Sequence, residues 1–235
     1  MPLPRIAVDN AAIVVKGAFN PAIFSPLWLQ NVGLIGETEF EAAVLDGISR
    51  DFAIFSVDWL NLQVLPDSIQ LRTEVAEETE RMRDVAIGIL RALPHTPLSA
   101  LGINRIAHFD AENEERWHAI GDRLAPKKVW SSALKFPATR SVSIIGGRAG
   151  NYGGSVTVTV EPSTVIPYGV FVAINDHYDF TRVDDPPMSR ADVTLPQNVE
   201  PRTGMASIAI EILNDRWSPS RAESDRIIQL VGESG

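Results

Sequence analysis

Hydrophobic and polar positions alternate with a period of two along residues 52–73, which is typical of strands that are buried on one side. The alternating apolar positions are Leu60, Leu62, Val64, Ile69 and Leu71. Between the two runs, Pro66-Asp67-Ser68 has favourable turn chemistry, because proline presets φ and aspartate can accept a hydrogen bond from its own backbone. The pattern therefore predicts a hairpin in which residues 52–65 pair with residues 69–73.

A helical period replaces this alternation directly after the hairpin. One apolar stripe, at spacings of three and four residues, consists of Met82, Val85, Ala86, Ile89, Leu90 and Leu93. It predicts an amphipathic helix over about 77–93, which Pro94 and Pro97 end. Residues 98–109 then return as a strand.

The chain before this hairpin is expected to contain one strand and one helix. Residues 5–15 end in an apolar run that is typical of a buried strand. Residues 38–41, Thr-Glu-Phe-Glu, have the spacing of a capping box for a helix that stops near 47–49. Through residue 109 the predicted order is βαββαβ, which is the order of a ferredoxin-like unit with two helices on one face of an antiparallel sheet.

The C-terminal half is predicted to contain a β-meander flanked by helices. Asp110 is expected to cap a helix over about 111–124, and two further helices are expected over 203–214 and from 218–220 onwards. The predicted strands are 138–145, 155–161 and 168–174. A turn-rich stretch, 184–201, predicts a surface loop.

These patterns predict an α+β protein built on antiparallel sheets, with helices packed on one face. The ferredoxin-like half comprises residues 1–110, and the meander with its C-terminal helices comprises residues 111–235. No linker separates the halves, because a helix is expected immediately after the strand that ends near Asp110. We therefore expect the two halves to pack as one compact unit.

Composition narrows the class of protein but not its activity. The 235 residues are 45% hydrophobic and 22% charged, as in ordinary globular proteins, and no apolar run is long enough to span a bilayer. Because cysteine is absent, there is no disulfide framework, thiol nucleophile or thiolate metal site. The first residues lack the pattern of a signal peptide, so we expect a cytoplasmic protein with no membrane association. The net charge of −9 opposes wholesale attraction to DNA or to anionic lipid.

Charge is segregated along the chain. Residues 123–148 contain six basic residues and no acidic one. Trp130, Phe136 and Tyr152 lie among or beside these cations, and basic residues with aromatic platforms suit phosphate contacts and base stacking. The candidate nucleic-acid or anion-binding residues are Lys127, Lys128, Lys135, Arg140 and Arg148. The alternative is that they pair with acidic side chains or form a solvated face.

Two polar clusters follow predicted strands and are the candidates for catalysis. One contains His108 and Asp110, and the other contains Asp176 and His177. Were the two strand ends adjacent, these four residues could form a divalent-metal or hydrolytic centre. Their spacing matches no established metal motif, and surface turns are the alternative interpretation, so we assign no metal and no cofactor.

A short apolar segment is the candidate for protein interaction. Leu27, Trp28 and Leu29 follow a proline in an irregular region, where an exposed apolar group could anchor a partner.

Three hypotheses for function remain. The first is a non-enzymatic interaction or assembly protein, a subunit of a homo-oligomer or larger complex, because open antiparallel sheets have edge strands that can pair with partners. The second is a nucleic-acid or anion-binding module that uses residues 123–148. The third is a metal-dependent hydrolase centred on Asp176 and His177.

Overall fold

The computed structural model describes residues 4–148, 152–180 and 201–233. The protein is α+β, and its described strands form one large antiparallel sheet in the order β2-β3-β4-β5-β1-β6-β9-β8-β7. The strands are β1 (Ile6–Gly17), β2 (Val44–Ile48), β3 (Ala53–Val57), β4 (Leu60–Leu65), β5 (Ser68–Thr73), β6 (Leu98–Asp110), β7 (Val142–Gly147), β8 (Gly154–Pro162) and β9 (Gly169–Asp179). The three strands predicted in the C-terminal half correspond to β7, β8 and β9.

Five α-helices accompany the described sheet. They are α1 (Pro26–Asn31), α2 (Glu37–Glu41), α3 (Thr79–Ala92), α4 (Glu114–Leu124) and α5 (Met205–Gly232). None of the helices in the described ranges is long and apolar enough to cross a membrane.

Alternate residues of β6 show that α3, α4 and α5 pack on the same face of the sheet. Leu101 and Ile103 belong to the core that contains α3 and the first half of α5. Ala107 and Phe109 belong to a second cluster, which contains α4 and the end of α5. Because side chains two residues apart on a strand share a face, both clusters lie on one side, which we call the helical face.

The stripe predicted for α3 is confirmed. Met82, Val85, Ala86, Ile89 and Leu90 are all buried in the larger core. The helix ends at Ala92, before Pro94 can interrupt its hydrogen bonds. The indole Nε1 of Trp217 on α5 donates to Glu80 at 2.9 Å and ties the two long helices together.

The prediction for residues 38–65 is wrong in two places. The predicted helix ends at Glu41, and Val44–Ile48 forms the edge strand β2 instead. The predicted single strand 52–65 is interrupted by a turn at Asp58 and Trp59, which separates β3 from β4. The apolar spacing in 40–48 is compatible with a helix and with a strand, and pairing with β3 stabilises the strand.

Side-chain hydrogen bonds hold the turn between β3 and β4. The hydroxyl of Thr73 donates to the carbonyl oxygen of Trp59 at 2.7 Å, and the Trp59 indole donates to Glu39 at 2.5 Å. These partners are distant in sequence, so the local pattern could not reveal the turn.

Two predicted helix boundaries also need correction. Asn113 caps α4, while Asp110 is the last residue of β6. The predicted pair of C-terminal helices is one helix, α5, which continues through Pro219. Proline removes one intrahelical donor, but Trp217 and Ile228 are buried on either side of it and keep both segments on the sheet. The predicted loop 184–201 lies almost wholly outside the described residues.

We expect Gly154→Ala to destabilise the fold by about 2–4 kcal/mol. Gly154 has φ +133°, and a Cβ there would overlap the backbone carbonyl of His177 on β9. Urea unfolding monitored by circular dichroism measures the free energy of unfolding.

Gly146→Ala is the matched control for this prediction. A Cβ at Gly146, on edge strand β7, would meet no atom within 4 Å. Equal losses of stability in the two variants would contradict the proposed clash at Gly154.

Candidate interaction surface and arginine cleft

The structure does not bring the four candidate catalytic residues together. His108 pairs across the sheet with Phe171, whereas Asp176 pairs with Ile103. Since β6 and β9 are antiparallel, their C-terminal ends lie at opposite ends of the strand pair. His108 and Asp176 are therefore five residues apart along the strands, which is roughly 17 Å. Among the described residues there is also no group of three or more potential metal ligands.

The side chains of Asp176 and His177 are also separated from each other, because consecutive strand residues face opposite sides of the sheet. Asp176 lies on the helical face. His177 lies on the other face, beside Asn104 and Asn175 in a cleft of about 510 Å³. Burial lowers the pKa of His177, although the nearby Asp179 and Asp176 oppose that shift.

His108 makes structural contacts with the residues that follow β8. Its Nδ1 lies 2.8 Å from the hydroxyl of Ser163, and its ring meets Phe171 edge-on. Burial lowers the pKa of His108 as well. These contacts hold the β8–β9 connection against β6.

Asp176 forms a buried ion pair with Arg148. The Nη2 of Arg148 donates to Asp176 Oδ1 and to the His177 carbonyl oxygen, the latter at 2.6 Å. The two side chains are only 4% and 7% exposed. Tyr178 donates to the other oxygen of Asp176 at 3.1 Å, and the guanidinium carbon of Arg148 lies 3.2 Å from the Tyr178 ring centroid.

Arg148 is therefore placed differently from the other basic residues of 123–148. The sequence pattern grouped it with the lysines as a residue that would contact an external anion. Its Nε and Nη1 atoms are buried without a hydrogen-bond partner in the part of the chain that the structure describes. Burial lowers the pKa of the guanidinium, while the charge of Asp176 opposes this effect.

Arg105 is a second buried arginine, and it is fully partnered. Its Nε and Nη2 donate to the two oxygens of Asp9 at 2.9 and 2.8 Å, and its Nη1 donates to Asp225 at 2.5 Å. These carboxylates hold the pKa of Arg105 above its usual value despite burial. The partners lie 96 and 120 positions away, so no sequence spacing indicated this bridge between the sheet and α5.

A cleft of about 560 Å³ lies between the β7–β8 hairpin and the C-terminal half of α5. We call it the arginine cleft, because Arg148 and Arg216 line one part of it together with Asp176 and Ser220. The opposite wall is apolar and consists of Ile144, Val156, Val158, Ile174 and Ile227.

Residues 127–140 form a surface that is both basic and apolar, which we call the basic-apolar segment. Lys128, Lys135 and Arg140 are exposed, whereas Lys127 pairs with Asp122. Four large apolar side chains are more than half exposed, with Phe136 reaching 86%, and they are Val129, Trp130, Leu134 and Phe136. The amine of Lys135 lies 5.5 Å from the Phe136 ring centroid.

The outer strand β2 lies in a surface of the opposite charge. Around β2, four large apolar side chains are exposed, namely Val44, Leu45, Ile48 and Phe52. Exposed carboxylates lie among them at Glu37, Glu41, Asp46 and Asp51. We call residues 37–52 the acidic-apolar edge.

The segment predicted for protein interaction is largely internal. Leu29 is fully buried, and Trp28 packs edge-on against Phe24 with ring centroids 5.2 Å apart. Only Leu27 is exposed. Ser25 caps α1 by accepting from the Trp28 backbone N–H at 3.1 Å, and this places Leu29 toward the core.

No protein-family model matches this chain, and no curated protein matches it.

We expect stability to fall as the pH is lowered from about 7 toward 5. The partly buried His177 and His108 have lowered pKa values in the folded protein, while in the unfolded chain they titrate near about 6.5. Below that pH the unfolded state binds more protons, so protonation favours unfolding. Urea unfolding at a series of pH values measures this dependence.

His177→Asn is expected to make the pH dependence shallower. His95→Asn is the control, since His95 is exposed. An unchanged slope in His177→Asn would show that His177 does not carry the effect.

Proposed function

We propose that this protein is a non-enzymatic interaction or assembly protein, a subunit of a homo-oligomer whose copies associate head to tail. The observation that carries the proposal is that the protein has two exposed apolar surfaces of opposite charge, one leading into β7 and the other containing β2, and these are the two outer strands of the described sheet. The basic-apolar segment ends directly before β7. The acidic-apolar edge contains β2, the last strand at the other end. One end of a copy is therefore complementary to the other end of the next copy.

Net charge supports a second copy as the partner. The chain carries −9 overall, although residues 123–148 contain only basic charges. The remaining surface therefore carries the whole negative excess, and copies would repel unless the basic segment faces an acidic surface. Complementary charges of this kind set orientation and exclude wrong partners.

Exposed apolar area supplies the attraction. Side chains such as Phe136 and Trp130 at one end, and Val44 and Leu45 at the other, lose contact with water on association. Burial of apolar area is worth about 25 cal/mol per Å².

Strand edges supply the geometry. The outer backbone groups of β2 and β7 have no partner strand in the described sheet. Pairing β7 of one copy with β2 of the next would continue the sheet, as in recognition by β-strand addition. A head-to-tail contact uses two different surfaces, so it leads to rings or open chains.

We also infer that residues 1–110 form a ferredoxin-like half, which residues 111–235 extend as a second half. In support, β4, β5, β1 and β6 are neighbours in that order, and α3 connects β5 to β6. On this view β2 and β3 are a hairpin added to its outer edge. The acidic-apolar edge is then an addition to the core of the fold.

A second candidate function is binding of single-stranded nucleic acid. The observation that favours it is the exposure of Trp130 and Phe136 beside Lys128, Lys135 and Arg140. Aromatic rings could stack on bases while the cations contact phosphates. The negative net charge of the whole chain weakens this candidate.

We expect Lys128→Glu/Arg140→Glu to abolish self-association, because the basic end then repels the acidic edge. Glu41→Lys/Asp46→Lys should have the same effect from the other end. An equimolar mixture of the two variants should associate again, since each supplies the charge that the other lost. Sedimentation velocity over a concentration series measures the distribution of species.

Arg5→Glu/Arg91→Glu is the control for this experiment. It makes the same change in net charge as Lys128→Glu/Arg140→Glu, at exposed positions away from both surfaces, and should associate like the wild type. A monomeric wild type, or a mixture that stays monomeric, would contradict the head-to-tail proposal.

For the nucleic-acid candidate, Trp130→Ala should weaken oligonucleotide binding by about tenfold through loss of stacking. Binding should also weaken steeply as salt is raised. Fluorescence anisotropy with a labelled single-stranded oligonucleotide measures both effects, and Leu27→Ala is the exposed apolar control. Salt-insensitive binding, or none, would exclude this candidate.

A further inference from the structure

The arginine cleft has two chemically different parts. Its apolar wall includes Ile144, which is 59% exposed, and Val158 and Ile227, which are partly exposed. Its polar part contains the two arginines and Asp176 beneath α5. A cleft of this size is in the range of small-molecule sites, which combine apolar walls with a few polar groups.

Arg148 in this cleft lacks acceptors. Its Nη2 has two partners, but Nε and Nη1 have none among the described residues, although the side chain is only 4% exposed. A buried donor without a partner has lost its hydrogen bonds to water and gained none in return, which is unfavourable. Arg105, at a comparable depth, donates from Nε, Nη1 and Nη2 alike. The difference indicates that Arg148 can donate hydrogen bonds to a further anionic partner.

Charges in the polar part of the cleft sum to a positive excess. Arg148 and Arg216 stand against one carboxylate, Asp176. Tyr178, which contacts this group, is neutral near pH 7 because burial raises its pKa to about 12. At the rim, Arg226 faces Glu223 at 3.7 Å, so those two charges balance. The excess of one positive charge matches one negative charge on a ligand.

We propose that the arginine cleft binds a small carboxylic acid with an apolar chain. One oxygen of the carboxylate accepts a charge-assisted hydrogen bond from the Nη1 of Arg148. Arg216 supplies the second positive charge. The chain lies along the apolar wall formed by β7, β8 and Ile227.

This site does not depend on the proposed assembly. It uses the helical face of the β7–β8 hairpin and α5, whereas head-to-tail association uses the basic-apolar segment and strand edges. A failure of one proposal therefore leaves the other standing.

Isothermal titration calorimetry with octanoate tests the proposal on the full chain. We expect octanoate to bind at least about tenfold more tightly than 1-octanol, because a charge-assisted hydrogen bond to arginine is stronger than one to a neutral hydroxyl. Octylamine, which reverses the charge, should bind more weakly than either. Equal affinity for octanoate and 1-octanol, or no binding of octanoate, would overturn the proposal.

Variants in the cleft locate the site. Arg216→Gln should weaken octanoate binding by about fivefold or more and leave 1-octanol unaffected, because it removes one positive charge. Ile144→Ser should weaken the binding of both compounds, because it makes the apolar wall more polar. Arg91→Gln, on an exposed position of α3, is the control.

Arg148 is tested together with its counter-ion. Arg148→Met alone would leave Asp176 buried and unpaired, which destabilises folds strongly, so Arg148→Met/Asp176→Asn removes both charges. The thermal midpoint confirms that the double variant is folded. Loss of the preference for octanoate over 1-octanol is expected, and an unchanged preference would overturn the assignment to Arg148.

Discussion

The pairing of β6 with both of its neighbours is the constraint on which the rest of the structure depends. This strand runs from Leu98 to Asp110 and is bound to β1 on one side and β9 on the other. Because strand side chains alternate between faces, its register decides which residues meet the helices. It directs Arg105 toward Asp9 and Asp225, and through β9 it places Asp176 on the same face as α5. A shift of one residue would expose these charges and bury His177.

The same register decides which polar residues meet in the folded protein. Polar residues that are neighbours in sequence, such as Asp176 and His177, lie on opposite faces. Charged residues far apart in sequence, such as Arg148 and Asp176, meet beneath the helices. The outcome is a sheet whose ends differ in charge and whose helical face encloses one partly satisfied arginine.

Sequence patterns predicted the elements that local periodicity determines. The stripe of α3 and the alternation of β8 were unambiguous, because each fits one period only. Residues 40–48 fit both periods, and their state depends on pairing with β3, which a local pattern does not contain. Pro219 predicted a helix break, but burial of Trp217 and Ile228 outweighs the lost hydrogen bond. The charge segregation was visible in the sequence, whereas the burial of Arg148 was not, because its partners lie on β9, almost thirty positions away.

Head-to-tail continuation of the sheet would protect the backbone amides of the two outer strands, which are exposed in a single copy. Hydrogen–deuterium exchange measured at low and high protein concentration follows the amides of Val44–Ile48 and Val142–Gly147. Pairing between copies would slow exchange in both strands together as concentration rises, because their outer N–H groups become hydrogen-bonded. Exchange in both strands that is independent of concentration, while β6 stays protected throughout, would show that copies do not pair through these strands.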